Sequence, residues 1–394
     1  MSGVPPSDPI AALALTLTPG LGCVRARRLL ERFGSAADVL RAAPAAMAEV
    51  DGIGPATARK AAGGFAHAVR RASDELEQLE AVGGTLTGWG DPGYPGLLSP
   101  LPDAPVMLTH RGSLACVGGY PVAIVGSREP THYGIEQVER FASALATAGL
   151  TVVSGGARGI DAAAHRAAMA AGGRTVVVLG SGLGVPYPAE HADLYDEIAA
   201  SGRGAVVSEL PVRTQPAPAN FPARNRIISG LSLGVLVIEA GRKSGALITG
   251  RLATETHGRE CMAVPGRVDS QASAGCNELI KAGGAALVTE PADVVAALET
   301  AARFAHADLH AERYRPEATE ANGSLWTPQP DPADSAAIDP AARAVYEVLH
   351  EPQTPDQLAE RLGIGIVELR SAVTTLDLAG LIRREGTRIA RRKI

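Results

Sequence analysis

Between residues 83 and 300, short apolar runs alternate with longer segments of amphipathic helical pattern. The runs are "VMLTH" from 106, "VAIVG" from 122, "TVVSG" from 151, "TVVVLG" from 175, "AVVSEL" from 205, "GVLVIEA" from 234, "CMAVPG" from 261 and "ALV" from 286. The helical segments between them include 134–148, 160–171, 190–200, 246–257 and 291–300. Continuously apolar strands joined by helices predict a parallel sheet covered on both faces, a doubly wound Rossmann-like α/β fold. Its ligands should bind beyond the carboxyl ends of the strands.

Residues 1–80 are predicted to form an all-helical module, because they contain a repeat of the helix-hairpin-helix, or SAM-like, kind. "PGLGCVRA" at 19–26 recurs as "DGIGPATA" at 51–58, and each is followed by a helical pattern. A glycine turn that opens a helix leaves N–H groups free to face a phosphate. Basic side chains near the two helix starts are Arg25, Arg27, Arg59 and Lys60. Acidic residues balance them, so backbone contact with DNA and a plain packing or protein-contact role both remain open.

The C-terminal part of the chain is predicted to be a linker followed by a winged helix. Residues 301–338 lose periodicity and include "TPQPDPADS", a linker composition. Residues 339–394 show three helical patterns, with Thr354 as the N-cap of the second, and then "RREGTRIARR" as a two-stranded wing. The basic residues of the wing include Arg383, Arg384 and Arg388, which makes duplex DNA a possible partner of this domain.

Composition narrows the class of protein. The chain has 394 residues and a formal net charge of −5, so a nucleic-acid site would have to be a local basic patch. Its four cysteines, Cys23, Cys116, Cys261 and Cys276, lack the spacing of a disulfide framework or a metal site. No signal peptide or run of eighteen apolar residues is visible, and we expect a cytoplasmic protein without a membrane partner.

Two strand ends carry residues suited to phosphate. Gly126-Ser127-Arg128 follows the strand at 122, where turn amides and an arginine can bind an anion. Lys243, Ser244, Gly245 and Thr249 open a helix after the strand at 234. Neither GxGxxG nor GxxxxGK[ST] is matched, since "GSGLGV" at Gly180 breaks at its last position. We therefore expect no dinucleotide or ATP cofactor, and contact with polynucleotide phosphates instead.

"SGGARGIDAAAH" raises the question of catalysis. It places Asp161 and His165 four residues apart, on one helical face, as in an acid/base pair. No nucleophile or second carboxylate accompanies them. The preferred interpretation is a hydrogen-bond network at the start of a helix, and we expect no catalytic residues and no metal.

"FPARNRIISGLS" at 221–232 contains the arginines Arg224 and Arg226. In a helix, positions two apart differ by about 200° in direction, so both cannot face one ligand. We expect one to point outward to an anion and the other inward to Glu209 or Glu239. Arg224, nearer the helix start, is the predicted outward one. Phe221 could stack on a base or merely pack.

The chain as a whole resembles the DprA (Smf) family of DNA-processing proteins. The resemblance rests on "AIVGSREPTHYG", "SGGARGIDAAAH", "GVPYPAEHADL", "FPARNRIISGLS", "EAGRKSGALITGRLA", "AVPG" and "GCNELIKAGGA", in that order. It implies a homodimer without established catalysis that binds single-stranded DNA, protects it and promotes loading of the RecA recombinase in natural transformation and homologous recombination. The implied DNA-binding residues are Gly126, Ser127, Arg128, Phe221, Arg224, Asn225, Arg226, Lys243, Ser244, Gly245 and Thr249. The implied dimer or RecA interface includes Asn277, Leu279, Ile280 and Leu287.

One departure from the family pattern concerns the charge of the pocket. Gly156-Ala157-Arg158 stands where the family has "GLA" and a variable residue, so Arg158 could alter the charge of the pocket.

Two other classes of function remain as alternatives. A nucleotide-processing enzyme of the phosphoribohydrolase-like type would need a PGGxGTxxE segment, which "AGRKSGALITGRLA" lacks. A winged-helix transcription regulator would need a palindromic DNA site.

Overall fold

The computed structural model describes residues 8–313, 340–349, 353–365, 369, 372–373, 376, 382–385 and 388–391. They belong to two compact units, Met1–Arg315 and Pro316–Ile394. No helix among these residues is long and apolar enough to cross a membrane.

The first unit begins with five helices. They are α1 (Pro9–Leu17), α2 (Cys23–Phe33), α3 (Ala36–Arg41), α4 (Pro44–Met47) and α5 (Pro55–Ala81). The predicted glycine hairpins are present, because Gly20 and Gly52 have φ of 91° and 78° and precede the starts of α2 and α5. Only glycine adopts such angles without strain. Leu15, Leu29 and Met47 fill the centre of this module.

A nine-stranded sheet forms the rest of the first unit. Its strands are β1 (Thr85–Gly88), β2 (Met107–Gly112), β3 (Tyr120–Gly126), β4 (Leu150–Ser154), β5 (Arg174–Val178), β6 (Gly204–Ser208), β7 (Gly234–Ile238), β8 (Glu260–Ala263) and β9 (Ala286–Leu287), in the order β1-β2-β6-β5-β4-β3-β7-β8-β9. Strands β3 to β9 pair in parallel, whereas β1 pairs with β2 and β2 with β6 antiparallel. The prediction of an all-parallel sheet is therefore wrong at this edge. Here residues 89–106 connect β1 to β2 without a crossover helix.

Helices cover both faces of the sheet, as the apolar strands require. They are α6 (His132–Thr147), α7 (Ile160–Ala170), α8 (Ala192–Ala200), α9 (Asn220–Gly230), α10 (Ala246–Arg251), α11 (Ala274–Lys281) and α12 (Pro291–Arg313). Short 3₁₀ turns lie at Leu114–Gly118 and Ala189–His191, and a π-helical turn, Leu252–Thr256, continues α10. Val122 and Ile124 of β3 enter the core on one face, and Ala123 and Val125 enter the core on the other. This alternation confirms the doubly wound fold.

The helical module packs directly against the sheet domain. Arg27 is 6% exposed, donates a hydrogen bond to the Leu101 carbonyl, and holds its guanidinium carbon 4.4 Å from the centre of the Trp89 ring. The buried carboxylate of Glu75 in α5 accepts a hydrogen bond from the Val212 amide. Of the two roles left open for the cations near the helix starts, Arg27 therefore has the structural one.

The second unit contains α13 (Pro340–Val348), α14 (Pro355–Leu362) and the antiparallel strands β10 (Ile382–Glu385) and β11 (Arg388–Arg391). Thr354 caps α14 as predicted, in a capping box with Gln357. Helix α12 extends to Arg313, so residues 301–313 of the predicted linker are helical, and 314–338 lie outside the described residues. Arg383, Arg384 and Arg388 lie on the wing strands, but their side chains are outside the described part.

Candidate nucleic-acid interface

A cavity of about 800 Å³ opens at the carboxyl ends of β3 and β7. From β3 the chain crosses to β4, β5 and β6 on one side, and β7 returns to the other side of β3. This reversal is the switch point at which open α/β sheets bind ligands. The walls come from the turn after β3, the start of α9 and the turn after β7. Lining residues include Gly126, Ser127, Arg128, Asp161, Tyr187, Phe221, Arg224, Asn225, Lys243, Ser244, Gly245, Ile248 and Thr249.

The turn after β3 is clamped by Glu239. The Glu239 carbonyl accepts a hydrogen bond from the Ser127 amide at 2.8 Å, and its carboxylate accepts one from the Thr131 amide at 2.6 Å. Glu239 adopts a φ of 49°, which a non-glycine residue rarely does. A Cβ atom on Gly126 would lie 2.0 Å from the Ile238 carbonyl oxygen, so glycine is required for β3 and β7 to approach at the cavity floor. The site therefore has a rigid base.

Two exposed cations stand at the cavity, one on each turn. Arg128 and Lys243 have no acidic partner within 4 Å among the described residues. The neighbouring Arg242, by contrast, lies 3.3 Å from the Glu278 carboxylate. Arg128 and Lys243 are thus available to an anionic ligand, as the sequence predicted for these two positions.

An aromatic pair lies beside the cations. The Phe221 ring has the Arg128 guanidinium carbon 5.3 Å from its centre and the Tyr187 ring centre 5.6 Å away. Sequence reasoning did not single out Tyr187 as a site residue, although "GVPYPAEHADL" was among the motifs carrying the family resemblance. Its place at the cavity depends on the fold of the loop after β5, which periodicity does not reveal.

Arg224 does not point outward, which corrects the prediction made for it. It is 5% exposed, and its guanidinium donates to the carbonyl oxygens of Gly155 and Val178, at the ends of β4 and β5. Desolvation lowers its pKa, although the nearby Asp161 carboxylate raises it. Arg224 therefore braces the cavity wall, and the ends of two strands, β4 and β5, meet at its side chain.

Arg226 also lies inside the protein, and it does not line the cavity. It pairs with Glu209, one of the two carboxylates predicted for the inward-facing arginine, and donates to the Asp103 carbonyl. Burial lowers the pKa of this guanidinium, but Glu209, Cys23 and Asp103 together outweigh burial, and the net pKa is raised. Both arginines of "FPARNRIISGLS" are thus anchors, because α9 packs one against the strand ends and the other against the β1–β2 side of the sheet domain.

The remaining predicted pocket residues are brought together at the cavity. Asn225 lines it and accepts a hydrogen bond from Arg224 Nε at 3.3 Å. The Ser244 hydroxyl accepts a hydrogen bond from the Ala246 amide at the start of α10. Gly245 is exposed, and Thr249 is 1% exposed in the wall. Of the predicted set, only Arg226 lies away from the cavity.

Asp161 and His165 have structural hydrogen bonds. The Asp161 carboxylate accepts a hydrogen bond from the Ala157 amide at 3.2 Å, which is a helix-start contact of the kind expected. His165 Nδ1 lies 2.7 Å from the Thr175 hydroxyl, and its Nε2 is buried without a hydrogen-bond partner among the described residues. Desolvation raises the pKa of Asp161 and lowers that of His165 to about 3. Within the described ranges, no three acidic, histidine or cysteine side chains are grouped to hold a metal ion.

The buried neutral His165 predicts a loss of stability in acid. Its pKa lies below the usual 6.5, so the unfolded chain takes up a proton that the folded chain refuses. Stability from this residue is present above pH 6.5 and is lost as pH falls toward 3. Between pH 7.5 and 5 we expect the wild type to lose about 2 kcal/mol more unfolding free energy than His165→Gln. Urea unfolding at both pH values measures the difference, and parallel losses in the two proteins would contradict it.

Arg158 adds no unpaired charge to the cavity. Its guanidinium forms two hydrogen bonds, of 2.6 and 2.7 Å, with the Glu190 carboxylate. Glu190 raises the pKa of Arg158, and Arg158 lowers that of Glu190. The departure from the family pattern at this position is therefore offset within the chain itself.

The predicted interface residues differ in exposure. Leu287, on the edge strand β9, is 53% exposed. Leu279 and Ile280 are partly buried against the core, and the Asn277 side chain is paired with the backbone of Gly266. At the helical module, the accessory cations Arg25, Arg59 and Lys60 are exposed, although Arg25 donates to the Gly20 carbonyl at 2.9 Å.

Comparison with known proteins agrees with this architecture. The profile for DNA recombination-mediator protein A matches residues 85–299, more than half of the chain. Protein Smf from Synechocystis sp. is 34% identical over 395 residues, covering 96% of this chain and 98% of that protein. The chain belongs to the DNA recombination-mediator protein A family. The DprA/Smf resemblance of its motifs is thereby confirmed.

The two ends and the fold of this family member match as well. A profile for a SAM-like helix-hairpin-helix tandem matches residues 12–61, and one for the DprA winged helix domain matches 328–386. DNA processing protein DprA from Streptococcus pneumoniae is 45% identical over 206 residues, covering 52% of this chain and 71% of that protein. The X-ray structure of DNA processing protein A from Streptococcus pneumoniae superimposes with a TM-score of 0.63 at 35% identity, covering 74% of this chain and 98% of that one.

Proposed function

We propose that this chain binds single-stranded DNA in the cavity between β3 and β7 and acts as a recombination mediator. One observation carries the proposal: the exposed cations Arg128 and Lys243 share a cavity with the aromatic ring of Phe221. Cations bind the phosphates of any sequence, and aromatic rings stack on any unpaired base. The same combination suits single strands generally, with little sequence preference.

Single strands fit this cavity better than duplex does. In a duplex the faces of the bases are stacked on each other, and only the phosphates and base edges are accessible. Phe221 can therefore contribute to affinity only when a base leaves the stack. Because the net charge is −5, we infer a local DNA-binding site rather than a surface that is basic throughout.

The family supplies the finer part of the proposal. We infer a cytoplasmic homodimer that protects exposed or incoming strands and promotes RecA loading, in natural transformation or homologous recombination, with no catalytic step. Leu287, Ile280, Leu279 and Asn277 would mark the dimer or RecA surface, of which Leu287 offers an exposed apolar side chain. Two accessory domains would assist the central domain, 83–300, in contacting DNA. The first, residues 1–80, would do so through Arg25, Arg59 and Lys60, and the second, residues 339–394, through its wing.

Lys243→Ala tests the pocket against duplex binding. Fluorescence anisotropy with a 20-nucleotide strand and its 20-base-pair duplex should show tighter binding of the strand by the wild type. Lys243→Ala should weaken strand binding about 10-fold, because one charge-assisted phosphate contact is lost. The control is Lys281→Ala, at the end of α11, which should bind as the wild type does. Equal affinity for strand and duplex, or equal loss in both variants, would refute the assignment.

The mediator role has its own measurement. RecA hydrolyses ATP when it assembles on single strands, so its ATPase on strands coated with a single-strand-binding protein should rise when this protein is added. Leu287→Arg should abolish the rise if β9 forms the dimer or RecA surface. An unchanged RecA ATPase with the wild type would remove the loading role and leave strand binding intact.

A further inference from the structure

Tyr187 shares the cavity wall with Phe221 but is the more exposed of the two rings. It is 37% exposed, whereas Phe221 is half-buried. The two ring planes are inclined at 47°, and the ring centres are 5.6 Å apart. Apart from Phe221, no aromatic ring within the described ranges is paired with Tyr187. More than a third of the Tyr187 residue is thus accessible to a ligand.

The backbone of Tyr187 is held in place by the buried Tyr195. The buried Tyr195 hydroxyl lies 3.0 Å from the Tyr187 carbonyl oxygen and 2.7 Å from that of Gly156, which ties the Tyr187 backbone to the end of β4. An exposed tyrosine fixed in this way loses little entropy when it contacts a ligand.

Neighbouring bases in a nucleic-acid stack are parallel, but these two rings are not. Bases that lie flat on Phe221 and on Tyr187 must turn away from each other, which a paired duplex does not allow without unstacking. We infer that Tyr187 is a second stacking platform, which takes the base next to the one on Phe221. This inference rests on the proposed function, because it assigns a second base subsite to the same cavity.

A strand without bases separates stacking from phosphate binding. The probes are a fluorescent 20-nucleotide thymidine strand and a 20-nucleotide strand made only of abasic nucleotides. Tyr187→Ala should bind the thymidine strand about 5- to 50-fold more weakly, the loss of one base–aromatic stack. On the abasic strand it should bind like the wild type. Equal weakening on both strands, or none on either, would overturn the second platform.

Matched variants protect this test against a change in folding. Tyr187→Phe keeps the ring and should restore binding of the thymidine strand to within about 2-fold of the wild type. Tyr120→Ala removes a 44% exposed tyrosine from the opposite end of β3 and should leave both affinities unchanged. A loss with Tyr187→Phe as large as with alanine would show that the hydroxyl, not the ring face, is what counts.

Failure of the inference and failure of the proposed function give different results. If Arg128→Ala and Lys243→Ala weaken binding of both strands while Tyr187→Ala matches the wild type, only the second platform is wrong. If neither cation variant affects either strand, the cavity is not the DNA site, whatever Tyr187 does.

Discussion

Replacing Arg224 with methionine should lower the free energy of unfolding by about 3–5 kcal/mol, the cost of breaking a buried charged network from one side. Methionine retains much of the side-chain length but cannot donate hydrogen bonds. The carbonyl oxygens of Gly155 and Val178 would lose their bonds to the guanidinium, and the buried Asp161 would lose the charge that does most to lower its pKa. Urea unfolding followed by circular dichroism measures the change.

Two further variants test whether loss of the buried charged network causes this destabilisation. Arg213→Met, at an exposed arginine before α9, should change stability by less than about 0.5 kcal/mol. Arg224→Met combined with Asp161→Asn should recover part of the loss, because the buried carboxylate is then neutral. A stability equal to the wild type in Arg224→Met would show that the guanidinium is a ligand-binding group instead of an anchor.

Removing both free cations of the cavity, in Arg128→Ala with Lys243→Ala, should weaken single-strand binding by about 30- to 1000-fold at low salt. Each charge-assisted contact contributes about 1.5–3 kcal/mol before partial compensation, and the two residues lie on different turns of one cavity. Each lost phosphate contact on a single strand should also lower the slope of log affinity against log salt concentration by about 0.7. Anisotropy titrations between low and physiological salt give both quantities.

The control for this pair is Arg203→Ala with Lys281→Ala. Both side chains are exposed, and both lie near the amino ends of strands, Arg203 just before β6 and Lys281 before β9. This variant carries the same change in net charge and should retain the affinity and salt slope of the wild type to within about 2-fold, apart from a small long-range effect. If the control loses as much as the cavity pair, then net charge rather than the cavity governs binding.

Local patterns were sufficient to predict most strands of the central domain. Each predicted apolar run from "VAIVG" to "CMAVPG" contains a strand, because a parallel strand buried on both faces must be apolar throughout. The run "ALV" contains the short, exposed edge strand β9. Strand β1 was missed, since Thr85–Gly88 is short and has a single apolar side chain, that of Leu86. The antiparallel pairing of β2 also escaped prediction, because pairing direction depends on the path of the preceding connection and leaves no mark on the periodicity.

The residues that line the cavity could be predicted from the sequence only in part. Arg128 and Lys243 could be placed because each directly follows a strand end, and carboxyl ends of parallel strands meet at one edge. Tyr187 could not, because its loop has no regular pattern that shows which way a side chain points. Arg158 was recognised as an unusual charge, but its partner Glu190 is 32 positions away in the chain.

By itself, then, the sequence determined the layered α/β core, the flanking helical and winged-helix modules and the polar turns at the switch point, since each follows from local periodicity, glycine turns and motif order. Only the tertiary structure decided the roles of Arg224 and Arg226. The partners of Arg224, Gly155 and Val178, are 69 and 46 residues away along the chain, and the partner of Arg226, Glu209, is 17 away. The side chain of an arginine is the same whether it contacts a ligand or anchors the fold. Which role it has depends on the hydrogen-bond acceptors that folding brings within its reach.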